Sequence, residues 1–134
     1  MEVSGTKSIP DLLQERVRLH PEREFIVFEN TAGEVTSLTY GVFADQVNRL
    51  ANALVADGVQ AGQTVALMVS TSPEFLVCWF AINQAGAVMV PVNVFYAADE
   101  LQYLLNNSDS VGFIGEPRFI ELFNQVAAAC PACA

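Results

Sequence analysis

The stretch Gln63 to Asn93, QTVALMVSTSPEFLVCWFAINQAGAVMVPVN, reads as one strand-helix-strand unit and decides the fold class. Thr64 to Val69 is a short run of β-branched and aliphatic residues, and Ala87 to Val90 is a second. Both have the composition of strands buried on two faces, as in a parallel sheet. Thr71, Ser72, Pro73 and Glu74 signal a helix start between them. They supply a hydroxyl for orphan backbone N–H groups, a proline that loses nothing in the first turn, and a carboxylate at the positive end of the helix dipole. Asn83 and Gln84 close this helix, and Gly86 is placed to take the left-handed conformation beyond it. Every residue from Phe75 to Ile82 is apolar. A helix that covers one sheet face keeps a polar outer stripe, so this one predicts a second partner.

Outward from this unit, Ser8 predicts the cap of a first helix, with Pro10 in its first turn and Asp11 three residues after the cap. Ile9, Leu12, Leu13 and Val17 make its apolar stripe, and His20-Pro21 stops it. Phe25 to Phe28 and Val35 to Leu38, joined by a short glycine-containing link, predict an antiparallel hairpin. Thr39 then caps a helix to about Asp57, with Phe43, Val47, Leu50 and Leu54 on its inner face and Gly58 as its stop. Asp45 and Arg49 are spaced for an i,i+4 ion pair on its surface. Beyond the central unit come a helix over about Asp99 to Asn107, a strand over Val111 to Ile114, and a helix over Pro117 to Ala129. The last helix is expected to pack through Phe119, Leu122, Phe123 and Val126. This alternation predicts an α/β fold with a layered, mostly parallel sheet, crossover helices, and an antiparallel hairpin at one edge or side.

The chain has 134 residues, enough for one domain or a piece of one. It is 52% hydrophobic and only 16% charged, against roughly a quarter charged in ordinary soluble domains. That excess predicts a native context with more protein around it. A formal charge of -9, with only six scattered Lys and Arg, excludes a nucleic-acid partner held through phosphates. The first ten residues lack the apolar core of a signal peptide, no apolar run is long enough to span a membrane, and three cysteines make an odd count. A reducing cytoplasm is the expected setting.

Cys130-Pro131-Ala132-Cys133 has the spacing of a redox or zinc site. A redox pair of this kind draws its low thiol pKa from the start of a helix that follows a strand, whereas this pair follows a helix. A zinc site needs two further ligands, and Cys78 and His20 are unpromisingly placed. Cys78 and Trp79 lie inside the apolar helix and read as core. Ser70, Thr71 and Ser72 precede a helix but lack the glycines and lysine of a phosphate loop, so they read as caps. The residues themselves support no catalytic, cofactor-binding or metal-ligating assignment.

Leu38-Thr39-Tyr40, the Gly58-Val59 turn, Ser72-Pro73-Glu74-Phe75 and Ala85 to Asn93 (AGAVMVPVN), taken in order and spacing, resemble the start of the acyl-adenylate-forming superfamily. That group includes acyl-CoA synthetases, luciferases and the adenylation domains of peptide synthetases. The resemblance covers Ser8 to about Val126, and Glu100-Leu101 followed by Leu104 and Ser108 continues it. Its PEFLVCWF and GAVMVPVN segments look most like acyl-CoA synthetases of small or medium acids, the crotonobetaine/carnitine-CoA ligases among them. The resemblance implies a parent enzyme that uses ATP, Mg²⁺ and CoA to activate a carboxylic acid through an acyl-adenylate. The phosphate loop with its lysine, the nucleotide contacts and the C-terminal lid are then expected after Ala134. On that reading residues 1–134 are a partial N-terminal AMP-binding domain, inert alone and binding none of those cofactors. The rest of the enzyme, or a homo-oligomer partner, would cover the apolar helix over residues 75–82. The alternatives are a fragment of a peptide-synthetase adenylation domain, or a stand-alone non-catalytic α/β module that uses that helix for association.

Overall fold

Caps and glycines set the element boundaries of the computed structural model, which describes residues 5–133. Ser8 and Asp11 form a reciprocal capping box at the start of α1 (Ile9–Leu19). The hairpin follows as β1 (Glu24–Glu29) and β2 (Val35–Thr39), paired antiparallel. The Asn30 side chain shapes its turn by accepting from the Ala32 and Glu34 N–H groups at 2.9 Å each. Thr39 caps α2 (Tyr40–Ala56), and the exposed Asp45–Arg49 pair closes to 2.8 Å.

The central unit is β3 (Thr64–Met68), α3 (Pro73–Gln84) and β4 (Val88–Pro91), followed by α4 (Ala98–Asn107) and β5 (Gly112–Gly115). The parallel sheet has the order β4-β3-β5, and the hairpin forms a separate two-stranded sheet beside it. At the amino end of the sheet the Thr64 hydroxyl donates to the Ser108 carbonyl at 2.7 Å, tying β3 to the turn before β5. The last segment is not the continuous helix that the sequence predicts. It splits into a 3₁₀ turn (Pro117–Phe119), α5 (Ile120–Val126) and a second 3₁₀ turn (Ala127–Ala129). The tighter turns bury Phe119 at one end and Cys130 just beyond the other.

Side-chain alternation along β3 divides the core. Ala66 and Met68 face α4 and α5, with Leu101, Leu105, Phe119 and Val126. Val65 and Leu67 face α3, against Ile82 and Ala87. On its other side α3 gives Val77 and Ala81 to a third cluster with Leu13, Ile26, Phe43, Ala44, Val47 and Ala51. The layers therefore run from α4 and α5, through the sheet, to α3, and out to α1, α2 and the hairpin. Within the chain, α1 and α2 thus supply a second partner for the apolar helix, whose Leu76, Trp79 and Phe80 stay half-buried.

Two packing expectations are corrected, in α1 and in the sheet, while in α2 the expected Phe43, Val47, Leu50 and Leu54 do share one cluster, joined by the buried Ala44 and Ala51, with Leu50 and Leu54 half-buried. The two alanines let α3 come close, and the longer leucines flank that seam. In α1 only Leu13 of the expected stripe is buried, and Ile9 and Leu12 stand exposed. Only β3 is a buried strand throughout most of its length; β4 and β5 are edge strands, with Val88 51% exposed.

Candidate functional site

Adjacent strands β3 and β5 send their following segments to opposite faces of the sheet, α3 to one and α5 to the other. The carboxyl ends of two such strands border the crevice in which open α/β sheets place ligands. At that end of this sheet stand Ser70 after β3 and Glu116 and Arg118 after β5. The Ser70 N–H donates to Glu116 Oε1 at 2.5 Å, Arg118 Nε donates to Glu116 Oε2 at 2.7 Å, and Arg118 Nη2 donates to Ser70 Oγ at 2.6 Å. Below the guanidinium lies the Phe119 ring, 4.4 Å from its centroid. The three residues form a closed clasp. Sequence reading passed over it, taking Arg118 as one of six scattered cations. Its local signal is the Glu-Pro-Arg run at the end of the third core strand; its partner lies 46 residues away.

The Ser70 N–H, and after it Arg118 and the Ser70 hydroxyl, hold the Glu116 carboxyl below its ordinary value of 4.5 against the opposing effect of burial. A carboxyl with a lowered folded pKa adds stability that is full above its unfolded pKa and is lost as pH falls through the folded value. Glu116→Gln is therefore expected to cost about 1 kcal/mol at neutral pH, an amount already reduced for the solvent around the pair. The difference from the parent chain closes in acid, once Glu116 itself is protonated. Urea unfolding at neutral and acidic pH checks this; a difference that is constant with pH would reject the assigned role.

The turn that reads as a cap is one. The Ser72 hydroxyl accepts from the Phe75 N–H at 3.2 Å and donates to the Ser70 carbonyl at 3.0 Å. Cys130 and Cys133 are buried beside Val126, free, and held as thiols because burial raises both pKa values. Burial likewise raises the Cys78 pKa, with the nearby Glu74 charge adding to it. His20 caps α1 through its backbone N–H, which donates to the Arg16 carbonyl, and its side chain is exposed. Among the described residues no three of His, Cys, Asp and Glu are gathered where they could hold a metal ion.

Cys130 fills core space, being 2% exposed, so a stability loss on substitution does not mark a redox role. Cys130→Ser is expected to cost about 1–3 kcal/mol by burying a hydroxyl, Cys130→Ala less, and added reductant should leave the unfolding midpoint of the unsubstituted chain where it is. A midpoint that moves with reductant would restore the redox reading.

The family model described as AMP-binding enzyme matches residues 13–132. The chain belongs to the AMP-binding enzyme family. A crotonobetaine/carnitine–CoA ligase from Citrobacter koseri is 29% identical over 126 residues, which are 94% of this chain and 24% of the relative. Among solved structures, the N-terminal domain of FACL13 from Mycobacterium tuberculosis superposes with a TM-score of 0.81 at 30% identity, over 91% of this chain and 30% of that one. A Mycobacterium tuberculosis fatty acyl CoA synthetase gives 0.79 at 29% identity, over 90% of this chain and 23% of the other. The chain thus spans about a quarter of the length of the curated relatives it matches.

Membership brings ATP, Mg²⁺ and CoA into question, and the crevice does not fit a nucleotide phosphate. The backbone N–H that would greet an anion is taken by the Glu116 carboxylate, and Arg118, the cation beside it, is already paired with that same carboxylate. The clasp ties the carboxyl ends of β3 and β5 together. No helix of the described residues is long and apolar enough to cross a membrane.

Proposed function

We propose that this chain is the first α/β portion of an ATP-dependent acid–CoA ligase. In the reaction assigned to that enzyme, a carboxylate oxygen attacks the α-phosphorus of ATP and pyrophosphate leaves. The CoA thiol then attacks the acyl-adenylate carbonyl and AMP leaves. The carrying observation is the family match over residues 13–132 of a chain that spans only 24% of its ligase relative. Phosphate binding and the lid belong, on this reading, to polypeptide beyond these residues, and the 134 residues alone are inert. A carboxylic acid is the substrate, and small quaternary-ammonium acids such as crotonobetaine and carnitine are the first to try, because that relative's name specifies them. Cys78, Cys130 and Cys133 are all free, which supports a reducing, cytoplasmic setting.

The test is the mass of the native polypeptide, read with an antibody against this chain. A band roughly four times the 14.5 kDa of these residues is expected, the ratio that a 24% share implies. That polypeptide should exchange pyrophosphate into ATP only when a suitable acid is present, and the 134-residue chain should not. A native band at 14.5 kDa would overturn the ligase reading in favour of an association module.

A further inference from the structure

The run Cys130-Pro131-Ala132-Cys133 is the motif that the ligase function leaves unused, and the structure gives it a definite shape. The Cys133 N–H donates to the Cys130 carbonyl at 3.0 Å, which closes a four-residue turn. Pro131 stands at its second position, where the fixed φ of proline suits a turn. Pro131 and Ala132 are exposed, whereas Cys130 is 2% and Cys133 7% exposed. The turn therefore sends both thiols inward, and they join one cluster with Leu105, Phe119 and Val126. Such a turn brings its two end Cα atoms within about 7 Å of each other, and a disulfide spans about 4.4–6.8 Å between Cα atoms. Burial first, and then a charge on Cys130, raises the Cys133 pKa, so the two sulfurs are near enough to feel each other. The third cysteine, Cys78, packs in the cluster on the opposite face of the sheet, which leaves Cys130 and Cys133 with each other.

We propose that Cys130 and Cys133 are a modification site, a dithiol that a small disulfide such as oxidised glutathione converts to a disulfide within the turn while the protein stays folded. One cysteine thiolate attacks a sulfur of oxidised glutathione, and one glutathione leaves as its thiolate. The second cysteine attacks the protein sulfur of that mixed disulfide and expels the other glutathione. The two thiol protons pass to the two glutathiones, so the pair is oxidised as one oxidised glutathione is reduced. Both cysteines are free in the resting chain, and burial holds them as thiols, which makes the pair an acceptor of oxidation and not a catalyst of it. Access comes from the turn itself. Ala128, Ala129, Pro131 and Ala132 are exposed around the two sulfurs, and the Asn106 side chain, donating to the Ala129 carbonyl at 3.0 Å, ties this segment to α4. Local opening of so short a segment uncovers both thiols without unfolding the sheet. A ring of four residues removes less chain entropy than a bridge across a long loop, so oxidation marks the turn more than it stabilises the fold.

The test incubates the native polypeptide with oxidised glutathione, quenches with acid, and alkylates the remaining thiols in urea. Mass spectrometry then follows the tryptic peptide that begins at Phe119 and carries both cysteines, with the peptide that carries Cys78 as the internal control. The first peptide is expected to lose two hydrogen atoms and take no alkyl group, at least about tenfold faster than Cys78 is modified. Far-ultraviolet circular dichroism should stay constant throughout, and dithiothreitol should return the peptide to its reduced mass. Two alkyl groups on that peptide after the incubation would overturn the site. So would a disulfide that forms only as the circular dichroism is lost, or a stable glutathione adduct with no ring closure. None of these outcomes bears on the ligase reading, which the mass of the native polypeptide decides.

Discussion

Phe43→Ala is expected to lower the unfolding free energy by about 3–5 kcal/mol, the largest loss of any single truncation in the outer layers. Phe43 is fully buried where α1, the hairpin, α2 and α3 meet, in one cluster with Leu13, Ile26 and Val77. Its ring sits edge-on to Phe25 at 5.0 Å and to Phe80 at 5.1 Å, and Phe25 stacks on Tyr40 at 4.5 Å. Truncation removes the transfer energy of the ring, two aromatic contacts, and the filling of a space whose walls belong to four elements. Those walls are pinned by the hairpin ladder and by helix caps, so they collapse only in part and a cavity remains. In the isolated 134-residue chain, Leu12→Ala on the exposed half of α1 is the comparison, and it should stay within about 0.5 kcal/mol. Urea unfolding of the two variants checks both values. A loss below about 1.5 kcal/mol for Phe43→Ala would mean that the outer layers are loosely packed and that α3 is held by the sheet alone.

What the sequence made legible is what short-range chemistry encodes. Ser8, Thr39 and Ser72 each cap the helix that they announce, and β3 with α3 and β4 forms the strand-helix-strand unit read from Gln63 to Asn93. The hairpin follows from two β-rich runs and an Asn-Thr-Ala-Gly link. The features that escaped depend on what a segment meets in space. The apolar periodicity of α1 fits several rotations about the helix axis, and contact with α2 and α3 selects the one that buries Leu13 and leaves Leu12 outside. In α2 the inner face is chosen by the closeness that Ala44 and Ala51 permit, which a pattern of large apolar residues does not reveal. The Ser70–Glu116–Arg118 clasp joins positions 46 and 48 residues apart, and no local spacing carries such a link. Sequence composition correctly demanded a second partner for the apolar helix. It placed that partner outside the chain, and the layering adds that α1 and α2 fold back over the helix while Leu76, Trp79 and Phe80 stay half-buried.

Gly86→Ala is expected to cost about 3 kcal/mol, and the size of the loss divides into two measurable parts. Gly86 ends α3 with φ at +81°, and its carbonyl accepts from the N–H of Gly62, which has φ at +83° in the turn before β3. The two turns therefore sit against each other, and the Val88 N–H donating to the Gln63 carbonyl at 2.8 Å carries that contact into the parallel ladder. A Cβ at position 86 would lie 3.0 Å from the Ala61 Cβ and 3.3 Å from its Cα. The left-handed backbone alone accounts for about 1–2 kcal/mol, and forcing the turns apart for about 1–3 more. Gly62→Ala isolates the first part, because it has the same backbone conformation with nothing within 4 Å of the added carbon. Ala61→Gly in the Gly86→Ala background isolates the second by removing the methyl that is struck, and it should recover about 1 kcal/mol or more. If Gly86→Ala proves no costlier than Gly62→Ala, the turns are not in firm contact. The registration of β4 on β3 would then come from the strands alone.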